Sequence, residues 1–120
     1  MKKTLVLLAL GAGLSMGAYA EAPKVMNGYL VDEGGYTLYT FDNDTMPGQS
    51  SCTGGCAVNW LPAMADAYDK ASGDLSVIKY VDGKPLWAYK GHPLYRFAKD
   101  AKPGEVNGDG KGGVWHVVKP

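Results

Sequence analysis

Two stretches of this 120-residue chain carry the same potentially reactive groups at the same spacing. Residues 35–48 read Gly-Tyr-Thr-Leu-Tyr-Thr-Phe-Asp-Asn-Asp-Thr-Met-Pro-Gly, and residues 91–104 read Gly-His-Pro-Leu-Tyr-Arg-Phe-Ala-Lys-Asp-Ala-Lys-Pro-Gly. A phenol, an aromatic ring and a carboxylate therefore recur as Tyr39, Phe41, Asp44 and as Tyr95, Phe97, Asp100. Two kinds of chemistry are open to them. Each carboxylate can accept backbone N–H groups of a turn and the hydroxyl of a buried tyrosine, which is a structural fastening. Alternatively, the two aspartates form a ligand-contacting pair, able to act as acid and base if their separation suits. A second set of candidates is softer. Cys52 and Cys56, with His92, His116 and the thioethers of Met46 and Met64, are donors that copper accepts. Oxidised to a disulfide, the two sulfurs cannot serve as thiolates, so copper binding and a permanent bridge compete for them.

These groups must be placed by regular structure, and the repeat indicates how. Extended without gaps at an offset of 56, the two copies agree at 9 of 24 positions from Gly35 to Val58, including Leu38, Pro47, Gly48 and Gly54. Two copies of one supersecondary unit are expected to pack on a shared core, because neither can bury its apolar face alone. Alternation puts Tyr39 and Phe41, or Tyr95 and Phe97, on one face of a strand, and Leu38 or Leu94 on the other. Apolar groups on both faces mark these strands as buried. Further strands are predicted over Val25 to Val31, Leu75 to Val81, Pro85 to Tyr89 and Val114 to Val118, all rich in β-branched or aromatic residues. Glu33-Gly34-Gly35, Asp82-Gly83 and Lys90-Gly91 supply turns. Residues five apart on a strand face opposite ways, so Asp44 and Asp100 require the chain to turn after each Phe. The following Pro-Gly has the form of a type II turn. The stretch from Ala63 to Ala71 is the predicted helix. The expected fold is mainly β: a small single domain of two pseudo-repeated antiparallel β units sharing one core, with a short central helix or helical turn.

The N-terminal residues have another purpose. Lys2 and Lys3, an apolar run from Leu5 to Leu14 and Ala18-Tyr19-Ala20 follow the order of a secretory signal peptide. Residues 1–20 are read as that peptide and 21–120 as the exported domain, with copy one at about 25–62 and copy two at about 81–118. The apolar run is too short to span a bilayer as a helix, so no stable membrane span is expected after cleavage. Export makes a disulfide the default state of Cys52 and Cys56, with Gly54 and Gly55 giving the short loop its freedom. The chain-entropy contribution of so short a loop is on the order of 2 kcal/mol.

Composition narrows the function classes. The chain balances 12 basic against 12 acidic residues; without Lys2 and Lys3 the domain carries 10 against 12, a net charge of −2. No run of Lys or Arg offers a track for a nucleic-acid backbone, so no nucleic-acid partner is expected. Nucleophile elbows, zinc-protease helices and nucleotide-binding glycine patterns are missing, and neither an enzyme activity nor a cofactor is implied. The oxygen-rich stretches Asp42-Asn43-Asp44 and Asn107 to Gly112 do not complete a calcium loop, because Lys111 falls at a ligand position and no Glu closes the frame.

The repeated Tyr-x-Phe-x-x-Asp resembles the Tyr-x-aromatic-x-x-Asp signature of bacterial secreted-repeat proteins, often labelled predicted lipoproteins. The resemblance continues through Cys52 to Ala57, Trp60, Pro62, Gly108-Asp109-Gly110 and Trp115-His116-Val117. It implies an exported protein with tandem repeats and assigns no catalytic residue. No cysteine follows the cleavage site, in contrast to a lipoprotein. Two functions remain in view. One is a non-enzymatic binding or structural module of the cell envelope, periplasmic or secreted, with an envelope protein or small ligand as partner. Tyr29, Tyr36, Tyr80, Trp87 and Tyr89 are candidates for its contact patch. The alternative is a periplasmic copper-binding or redox carrier using Cys52, Cys56 and a histidine.

Overall fold

A computed structural model describes residues 22–120. The signal peptide read at residues 1–20, and its cleavage site before Glu21, lie outside the described residues. The elements in chain order are β1 (Lys24–Met26), β2 (Tyr29–Val31), β3 (Leu38–Phe41), α1 (Cys56–Asn59), β4 (Trp60–Pro62), β5 (Leu75–Lys79), β6 (Pro85–Tyr89), β7 (His92–Pro93), β8 (Tyr95–Phe97), a 3₁₀ turn (Lys111–Gly113) and β9 (Trp115–Val117). Three antiparallel sheets result: β1–β2, β5–β6–β7, and a four-stranded sheet in the order β9–β3–β8–β4.

The four-stranded sheet is where the two copies meet. Tyr39 of β3 lies opposite Tyr95 of β8. Outside this pair the strands exchange: Trp115, from copy two, pairs with Phe41 of copy one, while Trp60, from copy one, pairs with Phe97 of copy two. The register makes Trp60 and Trp115 equivalent, 55 residues apart, so the offset of 56 slips by one between the motif and the tryptophan. The first copy has one residue more there, in the loop that holds Cys52, Cys56 and α1.

Strand alternation sends apolar groups to both faces of this sheet, and each face supports its own core. One side gathers Tyr39, Cys52, Trp60, Tyr95, Phe97 and Trp115. The other gathers Leu30, Leu38, Ala63, Trp87, Leu94 and Val118. The second core is closed by the three-stranded sheet, joined to the first through Ala63. Its N–H donates to the Leu94 carbonyl and its carbonyl accepts from the Trp87 N–H, each at 2.9 Å.

Both edges of the four-stranded sheet are protected against further pairing. On β4, Pro62 lacks an N–H. On β9, the Val117 N–H is taken by Asp109 Oδ1 at 3.1 Å and the Trp115 carbonyl by the Gly110 N–H at 2.7 Å.

Three expectations are corrected in detail. The segment Val25 to Val31 is a hairpin, not one strand: Asn27 (φ 54°) and Gly28 (φ 85°) form a two-residue turn of the type that matches strand twist. Ala63 to Ala71 is not helical. Met64 bridges to Leu86, the Ala65 N–H donates to the Pro85 carbonyl, and Asp66 and Asp69 bind local N–H groups, so tertiary pairing and aspartate turns outcompete helix propensity. The α-helical turn is instead Cys56–Asn59, which begins at the second cysteine of the disulfide. Finally, of the five aromatics expected at a contact patch, Trp87 is in the core, while Tyr29, Tyr36, Tyr80 and Tyr89 are half-buried.

Candidate functional site

The motif residues converge at the joint between the copies, and every contact is made crosswise. After β3 the chain turns, with the Asp44 N–H donating to the Phe41 carbonyl at 3.0 Å; after β8 the Asp100 N–H donates to Phe97 in the same way, also at 3.0 Å. These turns swing each carboxylate away from its own tyrosine. The Tyr39 hydroxyl donates to Asp100 Oδ2 at 2.6 Å, and the Tyr95 hydroxyl donates to Asp44 Oδ2 at 2.6 Å. The second oxygen of each carboxylate holds its own loop. Asp44 Oδ1 accepts from the Ser51 N–H (2.6 Å) and hydroxyl (2.7 Å), and Asp100 Oδ1 accepts from the equivalent Asn107 N–H (2.9 Å). The aspartates and both tyrosines are buried. Such burial is tolerable because each carboxylate has hydrogen-bond donors on both oxygens.

The glycines that bound the motif repeat this exchange. The Gly48 N–H donates to the Gly91 carbonyl at 3.1 Å and the Gly104 N–H to the Gly35 carbonyl at 3.3 Å, so the end of each motif is tied to the start of the other. All four have φ between 75° and 90°, the left-handed region that a Cβ disfavours. At Gly48 and Gly104 this is the third position of a type II turn following Pro, as the sequence indicated.

Between the two tyrosines runs a column of four rings. Phe41 stacks on Trp115 (4.1 Å between centroids), Trp115 on Trp60 (3.7 Å, planes 2° apart) and Trp60 on Phe97 (4.4 Å). Tyr39 meets Trp60 edge-on at 5.3 Å, and Tyr95 meets Trp115 likewise at 5.3 Å. The second copy can close over the column because residue 108 is glycine: a Cβ there would stand 2.6 Å from Trp60 Cη2. Burial, reinforced by the carboxylate hydrogen bonds, pushes both phenols far above the ordinary tyrosine range. At neutral pH they are neutral donors, sealed from solvent.

The other sequence candidates are scattered. Cys52 and Cys56 form a disulfide, so both sulfurs are spent, and Tyr80 donates its hydroxyl to the Cys52 carbonyl at 2.6 Å, tying the β5–β6 loop to the staple. His92 is exposed on β7. His116 is on β9, with Nε2 2.8 Å from Asp42 Oδ2. Met46 and Met64 are exposed and lie in different hollows of the surface. Among the described residues no three His, Cys, Asp or Glu side chains are gathered as a metal site would need. The copper donors expected from the sequence are thus not brought together, and the two cysteine sulfurs are bonded to each other.

A cleft of about 330 Å³ opens on the second core, on the sheet face opposite the motif tyrosines. Leu38, Ala63 and Trp87 line it, with the partly exposed Leu61 and Met64 and the side chain of Arg96. Arg96 sits on β8 between Tyr95 and Phe97, and alternation turns it to the face opposite them. Sequence reasoning passed over it. The available signal was a charge at the variable position of a strand whose other residues are all buried, where the first copy has Thr40.

Comparison with known proteins agrees with the duplicated architecture. A family model described as a secreted repeat of unknown function matches twice, over residues 27–64 and 76–119. These two matches place one Tyr-x-Phe-x-x-Asp motif in each unit. No curated protein and no solved structure matches the chain. Duplicated motif, crosswise fastening and family match concur: the chain belongs to the family of secreted repeats of unknown function.

Proposed function

We propose that this protein is an exported, non-enzymatic binding module of the cell envelope, in which the repeat motif is the fastener and the cleft beside Arg96 is the working surface. The family is one of secreted proteins, and the disulfide suits an oxidising compartment. A signal peptide at residues 1–20 would deliver residues 21–120 to the periplasm or the exterior. The observation that carries this reading is the reciprocal satisfaction of Tyr39 by Asp100 and of Tyr95 by Asp44. Groups already paired with one another inside a core have little left to offer a ligand, so binding falls to surface that the duplication leaves open. Concave, mostly apolar surface with a few polar groups is where small molecules bind. The partner is therefore a small ligand in preference to an envelope protein, since both edges of the four-stranded sheet are closed to strand addition.

The test is made on the full chain expressed in a bacterial host with an oxidising periplasm. The expected product is recovered from the periplasm or medium, begins at Glu21, has an intact mass two hydrogens below the reduced form and exposes no thiol on denaturation. A cytoplasmic product retaining Met1 would overturn the export reading. Two titratable thiols together with stoichiometric copper uptake would transfer the assignment to the copper carrier.

A further inference from the structure

We infer that the cleft beside Arg96 takes a small, uncharged molecule with an apolar body and one carbonyl-type oxygen, an amide, ester or ketone, received by the Arg96 guanidinium. This inference rests on the binding reading above and specifies its ligand. The first observation is divergence within the duplication. Sheet register makes Arg96 equivalent to Thr40 and its neighbour Leu61 equivalent to His116. In one half this face carries Thr40 and a His116 engaged with Asp42; in the other it carries Arg96 and Leu61 on the wall of a cleft. The motif residues keep the same types in both halves, so the halves differ where the cleft is and agree where they are fastened.

The second observation is the state of the guanidinium. It lies over the Tyr36 ring at 4.0 Å, which fixes its plane, and the Arg96 side chain remains one-third exposed. Asp32 balances its charge without satisfying its hydrogen bonds. The Asp32 Oδ1 atom accepts from the Gly34 and Tyr36 N–H groups at 2.9 Å each, and this double anchor stops Oδ2 at 3.6 Å from Arg96 Nε. That separation gives electrostatic attraction but is beyond a hydrogen bond. Nε is buried with no hydrogen-bond partner among the described residues. A guanidinium carries five N–H donors and no acceptor, so with Nε buried against Asp32 its terminal nitrogens are the donors offered at an apolar wall.

Charge then selects the ligand. Asp32 and Arg96 line the cleft with formal charges that cancel. An anion drawn to Arg96 would come up against Asp32, and a cation drawn to Asp32 would meet Arg96. An uncharged acceptor oxygen avoids both penalties and uses the donors that Asp32 leaves idle. Leu38, Leu61, Ala63 and Trp87 require the rest of the molecule to be apolar, and a volume of about 330 Å³ keeps it small.

Three probes of equal chain length decide the matter: hexanamide, hexanoate and hexylammonium. Each is titrated into the exported protein labelled with nitrogen-15, following the Arg96 Nε–H and the Trp87 indole N–H resonances. Hexanamide is expected to shift both, with a dissociation constant at least tenfold below those of the charged probes. Arg96→Met is expected to weaken hexanamide at least fivefold. Arg96→Lys, which keeps the charge and loses the planar donor fork, is expected to do the same; both variants are compared at matched melting temperature. Hexanoate or hexylammonium binding at these resonances as tightly as hexanamide would overturn the inference and leave the binding reading intact. If none of the three shifts either resonance up to its solubility, the cleft as the protein's working surface falls as well.

Discussion

Raising the pH should unfold this protein through two particular tyrosines. Tyr39 and Tyr95 are buried, and their phenols are held well above the ordinary value of 10.0, first by burial and then by the carboxylate hydrogen bonds. Below pH 10 both phenols are protonated in folded and unfolded chains alike, and their contribution is fully present. Above pH 10 the unfolded chain ionises them while the folded chain does not, so stability is lost until the pH reaches the raised folded values. For each tyrosine the loss is about 1.4 kcal/mol at pH 11, and for the two together about 5 kcal/mol at pH 12. A domain of this size has a total stability of roughly 5–15 kcal/mol, so this is enough to bring the folded state close to its limit. Denaturant midpoints recorded from pH 9 to 12, with tyrosinate absorbance near 295 nm followed in parallel, provide the assay. In the native protein Tyr39 and Tyr95 should resist ionisation until the chain unfolds and then titrate with it, while Tyr80, raised to a lesser degree by burial, should ionise after the remaining tyrosines. Tyr39→Phe and Tyr95→Phe should each remove about 1.4 kcal/mol per pH unit from the alkaline slope. If all tyrosines of the native protein ionise near pH 10 with no change in fold, the sealed phenol–carboxylate pairs do not exist as described.

Two further outcomes follow from the ring column. Gly108→Ala would set a Cβ 2.6 Å from Trp60 Cη2 and 3.1 Å from Phe97 Cδ2, and those rings cannot yield without breaking the stack. Chemical denaturation should show a loss at or above the usual 1–3 kcal/mol of overpacking, and a neutral result would mean that the column is looser than 3.7 Å stacking allows. The rigid stack of Trp60 and Trp115 should give strong near-ultraviolet circular dichroism, largely lost in Trp115→Leu while a folded far-ultraviolet spectrum persists. Near-ultraviolet bands unchanged by Trp115→Leu would contradict the fixed stack.

Much of the architecture was legible because the chain states it twice. Alternation in Leu-Tyr-x-Phe placed the two apolar faces, and these became the two cores. The Pro-Gly pairs marked their turns, and the turn after each Phe was required by the parity of Asp44 and Asp100. What no single copy could reveal is to whom its Asp belongs. A within-copy and a crosswise bond satisfy the same local pattern, and only the antiparallel meeting of Tyr39 with Tyr95 decides between them. The one-residue slip between Trp60 and Trp115 was hidden by chance identities at Gly54 and Val58, which kept the ungapped offset attractive. The helix expected over Ala63 to Ala71 failed because its backbone is used by β6, a partner distant in sequence. Arg96 was passed over for a related reason: a lone charge on a strand gains meaning only when Leu61, Trp87 and Asp32 are brought around it.

The central claim is that each copy is completed by the other, and double-mutant cycles test it most directly. Tyr39→Phe combined with Asp100→Asn, and Tyr95→Phe combined with Asp44→Asn, should show coupling of about 1.5–3 kcal/mol in equilibrium unfolding, the range for hydrogen bonds to charged groups. Within one copy, Tyr39→Phe with Asp44→Asn should be additive to about 0.5 kcal/mol. Strong coupling within a copy and additivity across copies would contradict the interlocked fold.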